Sequence, residues 1–204
     1  MTILAPMPTN RRSLRFIQLL VGLVLFGFSE GLLVRANLGL DPWDVLQQGL
    51  SRTVGLEIGT WSIIVGAFVL LLWIPLHQRP GVGTVANIVV IGLVLNFTVN
   101  EVPAPKALAV RYVVLAVAIA LNGIATGAYI GAELGPGPRD GLTIAIASRG
   151  VSLRLVRTVI EVSVLITGWL LGGTVGIGTL AYALLIGPIT HVTIPALRLS
   201  KRDT

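Results

Sequence analysis

Apolar runs of about 18 residues or more recur from one end of the chain to the other, and a helix of that length spans a bilayer. Of the 204 residues, 54% are hydrophobic and 12% charged, with a mean hydropathy of +0.88. A soluble domain usually carries about 25% charged residues. There are too few charges here to coat a globule of this size. The expected class is an all-α polytopic membrane protein, a single membrane domain over 1–204. Six spans stand out: Phe16–Val34, Ile58–Leu76, Val82–Val99, Val113–Ile130, Leu155–Gly172 and Val175–Pro195. The first run is longer than the usual ~7–15 residue core of a secretory signal. It also has a twin later in the chain, so it reads as a retained span.

The chain is written twice. "NLGLDPWDVL" (Asn37–Leu46) and "ELGPGPRDGL" (Glu133–Leu142) agree at Leu38/Leu134, Gly39/Gly135, Pro42/Pro138, Asp44/Asp140 and Leu46/Leu142. "GVGTVANIVVIG" from Gly81 matches "GIGTLAYALLIG" from Gly176 at six of twelve positions. Two units follow, about 12–100 and about 108–197, each with three spans. An odd number of spans makes the second unit enter the membrane from the other side, an inverted 3+3 repeat. The basic residues agree. With both termini cytoplasmic, inside segments hold Arg11, Arg12, Arg15, Arg79, Arg139, Arg149, Arg154, Arg157, Arg198, Lys201 and Arg202. Outside segments hold Arg35, Arg52, Lys106 and Arg111, and eleven against four obeys the positive-inside rule. The net charge of +6 is therefore juxtamembrane rather than a nucleic-acid-binding face. The chain has no cysteine, which excludes disulfides and thiolate metal sites.

The repeated turn starts two short helices. Asp41 is an N-cap with Pro42 at the first helical position, where a missing N–H costs nothing. Gly137 and Pro138 take these places in the second copy. About 12 residues rise roughly 18 Å, too little to cross a membrane. Two placements stay open. The helices lie flat in the interface, where Trp43, Leu46, Leu50 and Val54 form an apolar stripe. Or they re-enter the membrane, for which the apolar "LTIAIA" of the second copy argues.

Four residues are candidates for a solute or ion site. Asp44 and Asp140 are repeat equivalents suited to a cation or proton, with helix capping as the plainer role. Arg139 departs from the symmetry, Trp43 standing in its place, and suits either an anionic group or a cytoplasmic loop. Glu30 lies inside an apolar run with no partner nearby in sequence, and an acid in lipid should face the protein interior. Arg157 and Glu161 are four apart on a helix and read as a structural ion pair. Asn96 and His191 are repeat equivalents near span ends, read as helix-end interactions. Gly27, Gly31, Gly123 and Gly127 allow close helix packing, with the first and fourth spans expected to cross there. "GVGT" and "GIGT" lack the lysine of a nucleotide loop and read as tight starts to the third and sixth spans. No spacing for a metal, cofactor or acid-base constellation is visible, so no enzyme and no cofactor are expected.

"GPGPRDGL", "LVRTVIEV", "GWLLGGTVGIGT" and "DPWDVLQQGLS" resemble the YczE-like bacterial membrane proteins, grouped with YitT and YyaS. The resemblance runs from about Arg15 to Gly187 and implies a multi-pass protein of the bacterial cytoplasmic membrane. It also implies a loose link, for some members, to secondary-metabolite production, and no catalytic residue. The expected function is a small-solute transporter or permease; the alternative is a non-transporting membrane scaffold or regulator. Expected partners are the bilayer and a small molecule or ion. A homodimer suits a transporter of 204 residues, and no motif specifies one.

Overall fold

The computed structural model describes residues 10–199. Lys201 and Arg202, counted above with the cytoplasmic bases, lie outside them, as do residues 1–9. The described residues form eight α-helices: α1 (Arg12–Ala36), α2 (Pro42–Val54), α3 (Ile58–Leu71), α4 (Val82–Glu101), α5 (Leu108–Gly131), α6 (Pro138–Ala147), α7 (Leu153–Leu170) and α8 (Ile177–Leu197). They include no strand.

Four helices are long and apolar enough to cross a membrane: α1, α4, α5 and α8. A fifth span arises if α2 and α3, bent by 115° at their junction, count as one. The other two runs read as spans differ for visible reasons. After Leu71 the second run goes on in turns rather than α-helix. The fifth lies on α7, which carries Arg154, Arg157 and Glu161. The two prolines inside α8, Pro188 and Pro195, are of a kind membrane helices tolerate where neighbouring groups take up the freed carbonyls.

Helices α1 and α5 lie side by side and antiparallel, each closing the other's end. Arg15, near the start of α1 and 1% exposed, donates to the Ala132 carbonyl at the end of α5 (3.0 Å). Arg111, near the start of α5, donates to the Ala36 carbonyl at the end of α1 (2.7 Å). A helix leaves its last carbonyls unsatisfied and its C-terminus negative, so a guanidinium answers both needs. Midway, Asn122 donates to the Ser29 hydroxyl (2.9 Å). A Cβ on Gly22 would stand 2.7 Å from the Tyr129 nitrogen, so glycine sets this close approach.

Residues that align in the two copies make matching contacts elsewhere. Gly83 donates to the Leu38-equivalent carbonyl, Leu134, and Gly178 to Leu38 itself, both at 2.8 Å. Thr84 and Thr179 accept from the Gly81 and Gly176 N–H at the starts of α4 and α8 (3.1 and 3.3 Å). Gly39 and Gly135 turn with φ of +115° and +121°, a region closed to most side chains.

The glycine faces pack otherwise than expected. Gly27 and Gly31 meet α4, at Ile91 and Thr98, while Gly123 and Gly127 meet α8, at Ile189 and Thr193. The α1–α5 contact uses Gly22 instead. Each first helix of a unit thus spends its small-residue face on the last helix of the same unit. The short helices reach further. α2 packs on α7 as well as α3, and α6 on α3 as well as α7, so both tie the halves together.

Candidate functional site

Helix α2 begins as its first residues dictate. Asp41 has extended backbone, and its Oδ1 accepts from the Trp43 and Asp44 N–H groups (3.0 and 3.3 Å). Pro42 takes the first helical position. One turn later, Asp44 and Gln47 lie three apart and share a face. That face, with Val45 and Gly49, is the buried one. The apolar stripe of Trp43, Leu46 and Leu50 is only half-buried, and Val54 is exposed. The polar side is therefore turned inward, the reverse of an interfacial helix resting on a core.

Helix α1 brings Glu30, 1% exposed, to this face. One carboxylate oxygen from each of Glu30, Asp41 and Asp44 lies within 4.8 Å of the others. Arg139, second residue of α6 and from the other half of the chain, reaches in among them. Its Nη1 is 3.7 Å from Glu30 Oε1 and 4.0 Å from Asp41 Oδ1. Its guanidinium lies over the Trp43 ring, 5.1 Å from the centroid, a cation–π contact. The Gln47 amide orientation that satisfies both neighbours donates to Asp44 Oδ1 (2.9 Å) and accepts from Arg139 Nη2.

One guanidinium thus faces three carboxylates. Both ion-pair distances exceed the ~2.7–2.9 Å of a direct charge-assisted hydrogen bond. Three buried oxygens, Glu30 Oε2, Asp41 Oδ2 and Asp44 Oδ2, have no hydrogen-bond partner among the described residues. Beside the cluster is a cavity of about 160 Å³, lined among others by Glu30, Asp41, Trp43, Arg139 and Asp140. Arg157 and Glu161, ion-paired at 2.8 Å as their spacing predicts, also line it. Tyr129 donates to Asp140 Oδ2 (2.9 Å), and Tyr182 to the buried amide oxygen of Asn122 (2.9 Å). The wall is amphipathic: aromatic rings, hydroxyls and charges of both signs. It can hold a small polar solute or an ion.

Glu30, Asp44 and Arg139 come together in the cluster, and Asp140 lines the cavity beside it. Glu30, partnerless in sequence, finds Arg139 across the fold. Arg139 is no loop arginine but the hub of the cluster. Asp44 does not cap α2, a role Asp41 alone fills, while Asp140 is tied to Tyr129 rather than to the cluster. Asn96 bridges α3 and α4, accepting from the Gly59 N–H (2.6 Å), and His191 is exposed and away from the site. Sequence reasoning missed Gln47, Tyr129, Tyr182 and Asn122. A signal existed for Gln47: a polar residue one turn beyond Asp44 on a helix whose other face is apolar.

The family model described as "Family of unknown function (DUF6198)" matches residues 13–195. A Haemophilus influenzae protein, named only as an uncharacterized protein, is 41% identical over 174 residues, covering 85% of this chain and 80% of that one. The Bacillus subtilis uncharacterized membrane protein YczE is 33% identical over 186 residues, 89% of this chain and 86% of its own. B. subtilis YyaS, also named as uncharacterized, is 26% identical over 182 residues, 86% and 90% of the two chains. No solved structure matches. Long apolar helices and a relative named as a membrane protein agree, and the chain is a multi-pass integral membrane protein of the DUF6198 family, the YczE-like group.

Proposed function

We propose that the protein is a small-solute permease of the bacterial cytoplasmic membrane. In this reading α1, α3, α4, α5, α7 and α8 are six spans arranged as an inverted 3+3 repeat, with both termini cytoplasmic. The reciprocal arginines of the antiparallel α1 and α5 support the inversion. So do the equal hydrogen bonds at Leu38 and Leu134. The short helices α2 and α6 are re-entrant, which their inward polar residues favour. Irregular backbone at membrane depth is tolerated where it lines a cavity, and paired half-helices at a repeat interface commonly build a solute site. The bilayer and a small solute or ion are the partners, and no catalytic step is assigned.

One observation carries the proposal. Charges from both halves of the chain converge beside a cavity, and three carboxylates in that cluster are under-compensated. An acid deep in a membrane costs about 2.5 kcal/mol or more on insertion scales. A scaffold could use such a cluster only to fix helix packing, whereas a transport site uses it to bind. The chain lacks cysteine, so a single Thr143→Cys on the cavity wall reports on water alone. In detergent or nanodiscs, a permease lets a hydrophilic thiol reagent label this cysteine in the folded protein. Labelling seen only after denaturation would favour the scaffold.

A further inference from the structure

We infer that Glu30, Asp41 and Asp44 form a binding site for one divalent, oxygen-preferring cation. The binding itself needs no transport; only its role as coupling ion or cargo rests on the permease reading.

The charge count comes first. Fully ionised, the three carboxylates exceed the Arg139 guanidinium by two negative charges, which one divalent ion neutralises. Buried charges persist where they are paired or coordinate a metal, and here pairing is incomplete. Arg139 cannot complete it. Its guanidinium is held on the Trp43 ring and by the Gln47 oxygen, beyond direct hydrogen-bond distance of Glu30 and Asp41.

The free oxygens come second, and they are an independent observation. Glu30 Oε2, Asp41 Oδ2 and Asp44 Oδ2 are buried and find no donor among the described residues. A buried acceptor without a partner carries a desolvation penalty of about 1–3 kcal/mol, more when charged. A cation coordinated through these oxygens would remove that penalty.

Geometry sets the class. Three carboxylate oxygens within 4.8 Å of one another can share the shell of one cation. Ca²⁺ accepts ligands at about 2.3–2.6 Å in flexible geometry, while Mg²⁺ demands a tight octahedron at about 2.0–2.1 Å. All-carboxylate ligation selects Ca²⁺ or Mn²⁺ over the softer metals, which prefer sulfur or imidazole. The adjoining cavity has room for the waters that fill the remaining positions.

The test uses the full-length protein in nanodiscs, stripped of metal, with Ca²⁺ and Mn²⁺ as probes in equilibrium titration. One saturable site per chain is expected for each, with Mg²⁺ at least tenfold weaker. Glu30→Gln and Asp44→Asn should each weaken Ca²⁺ at least tenfold, while Glu101→Gln, exposed at the end of α4 and outside the cavity lining, leaves it unchanged. A thermal melt of each variant certifies that it is folded. No saturable binding by the folded wild type, or equal binding by both cluster variants, overturns the assignment. Saturable Ca²⁺ binding with Thr143→Cys shielded keeps the site and removes the permease. A labelled cysteine without Ca²⁺ binding removes the site and keeps the permease.

Discussion

Arg139→Ala should destabilise the protein by about 3–5 kcal/mol in cation-free buffer, the usual cost of leaving buried charge unpaired. The substitution removes the one guanidinium that, among the described residues, faces Glu30, Asp41 and Asp44. It also strips the Trp43 ring of its cation, worth about 0.5–2 kcal/mol. The mechanism makes a second result obligatory. Adding Glu30→Gln to Arg139→Ala should restore part of the loss, because one uncompensated carboxylate disappears with it. Thermal or denaturant melts of the four proteins form a double-mutant cycle with coupling above about 0.5 kcal/mol. Simple additivity would mean that Glu30 and Arg139 do not sense each other.

Gly168→Leu should cost about 3 kcal/mol or more, at the upper end of overpacking effects. A Cβ at Gly168 would stand 2.5 Å from the Leu46 Cα and the Val45 carbonyl carbon. Both obstacles are backbone, so no rotamer change relieves them. Nor can α2 retreat easily, because Gly49 meets α7 in the same contact, its Cβ position 2.8 Å from Leu171 Cβ. The displaced helix is the one that carries Asp41, Asp44 and Gln47, so cluster and packing should fail together. Gly187→Leu is the matched control: nothing lies within 4 Å of a Cβ there. It should shift the melt by less than about 0.5 kcal/mol, as substitutions away from packed sites do. Equal effects from the two would show that α2 does not rest on α7.

Local features of the chain translated directly into structure. Asp41-Pro42 starts a helix, Arg157 pairs with Glu161 one turn away, and the "GVGT" and "GIGT" segments open α4 and α8. Each depends on residues at most four apart. The membrane class was legible from the apolar runs, and the family from motifs along most of the chain. What escaped depends on distance and on solvent. Glu30 and Arg139 lie on helices from different halves, and no spacing rule joins them. The three carboxylates come from two helices whose crossing only the fold determines. On α2 the apolar stripe suited a helix lying in the interface, and only the fold shows that Asp44 and Gln47 form the buried face while Trp43, Leu46 and Leu50 are half-buried. The glycine faces were recognised as packing surfaces, yet which neighbour fills them depends on topology. α4 and α8 take those places, not each other's first helix.

The most direct test of the account is the sidedness of Thr143→Cys labelling in sealed vesicles of both orientations. A membrane-impermeant thiol reagent should reach the cysteine from each side in turn, and a transported solute or Ca²⁺ should change the ratio of the two rates. That result follows from the proposed permease, whose site lies where two oppositely oriented halves meet. No labelling from either side, with full labelling after unfolding, would contradict it: the charged cluster would then be a sealed structural element rather than a solute site.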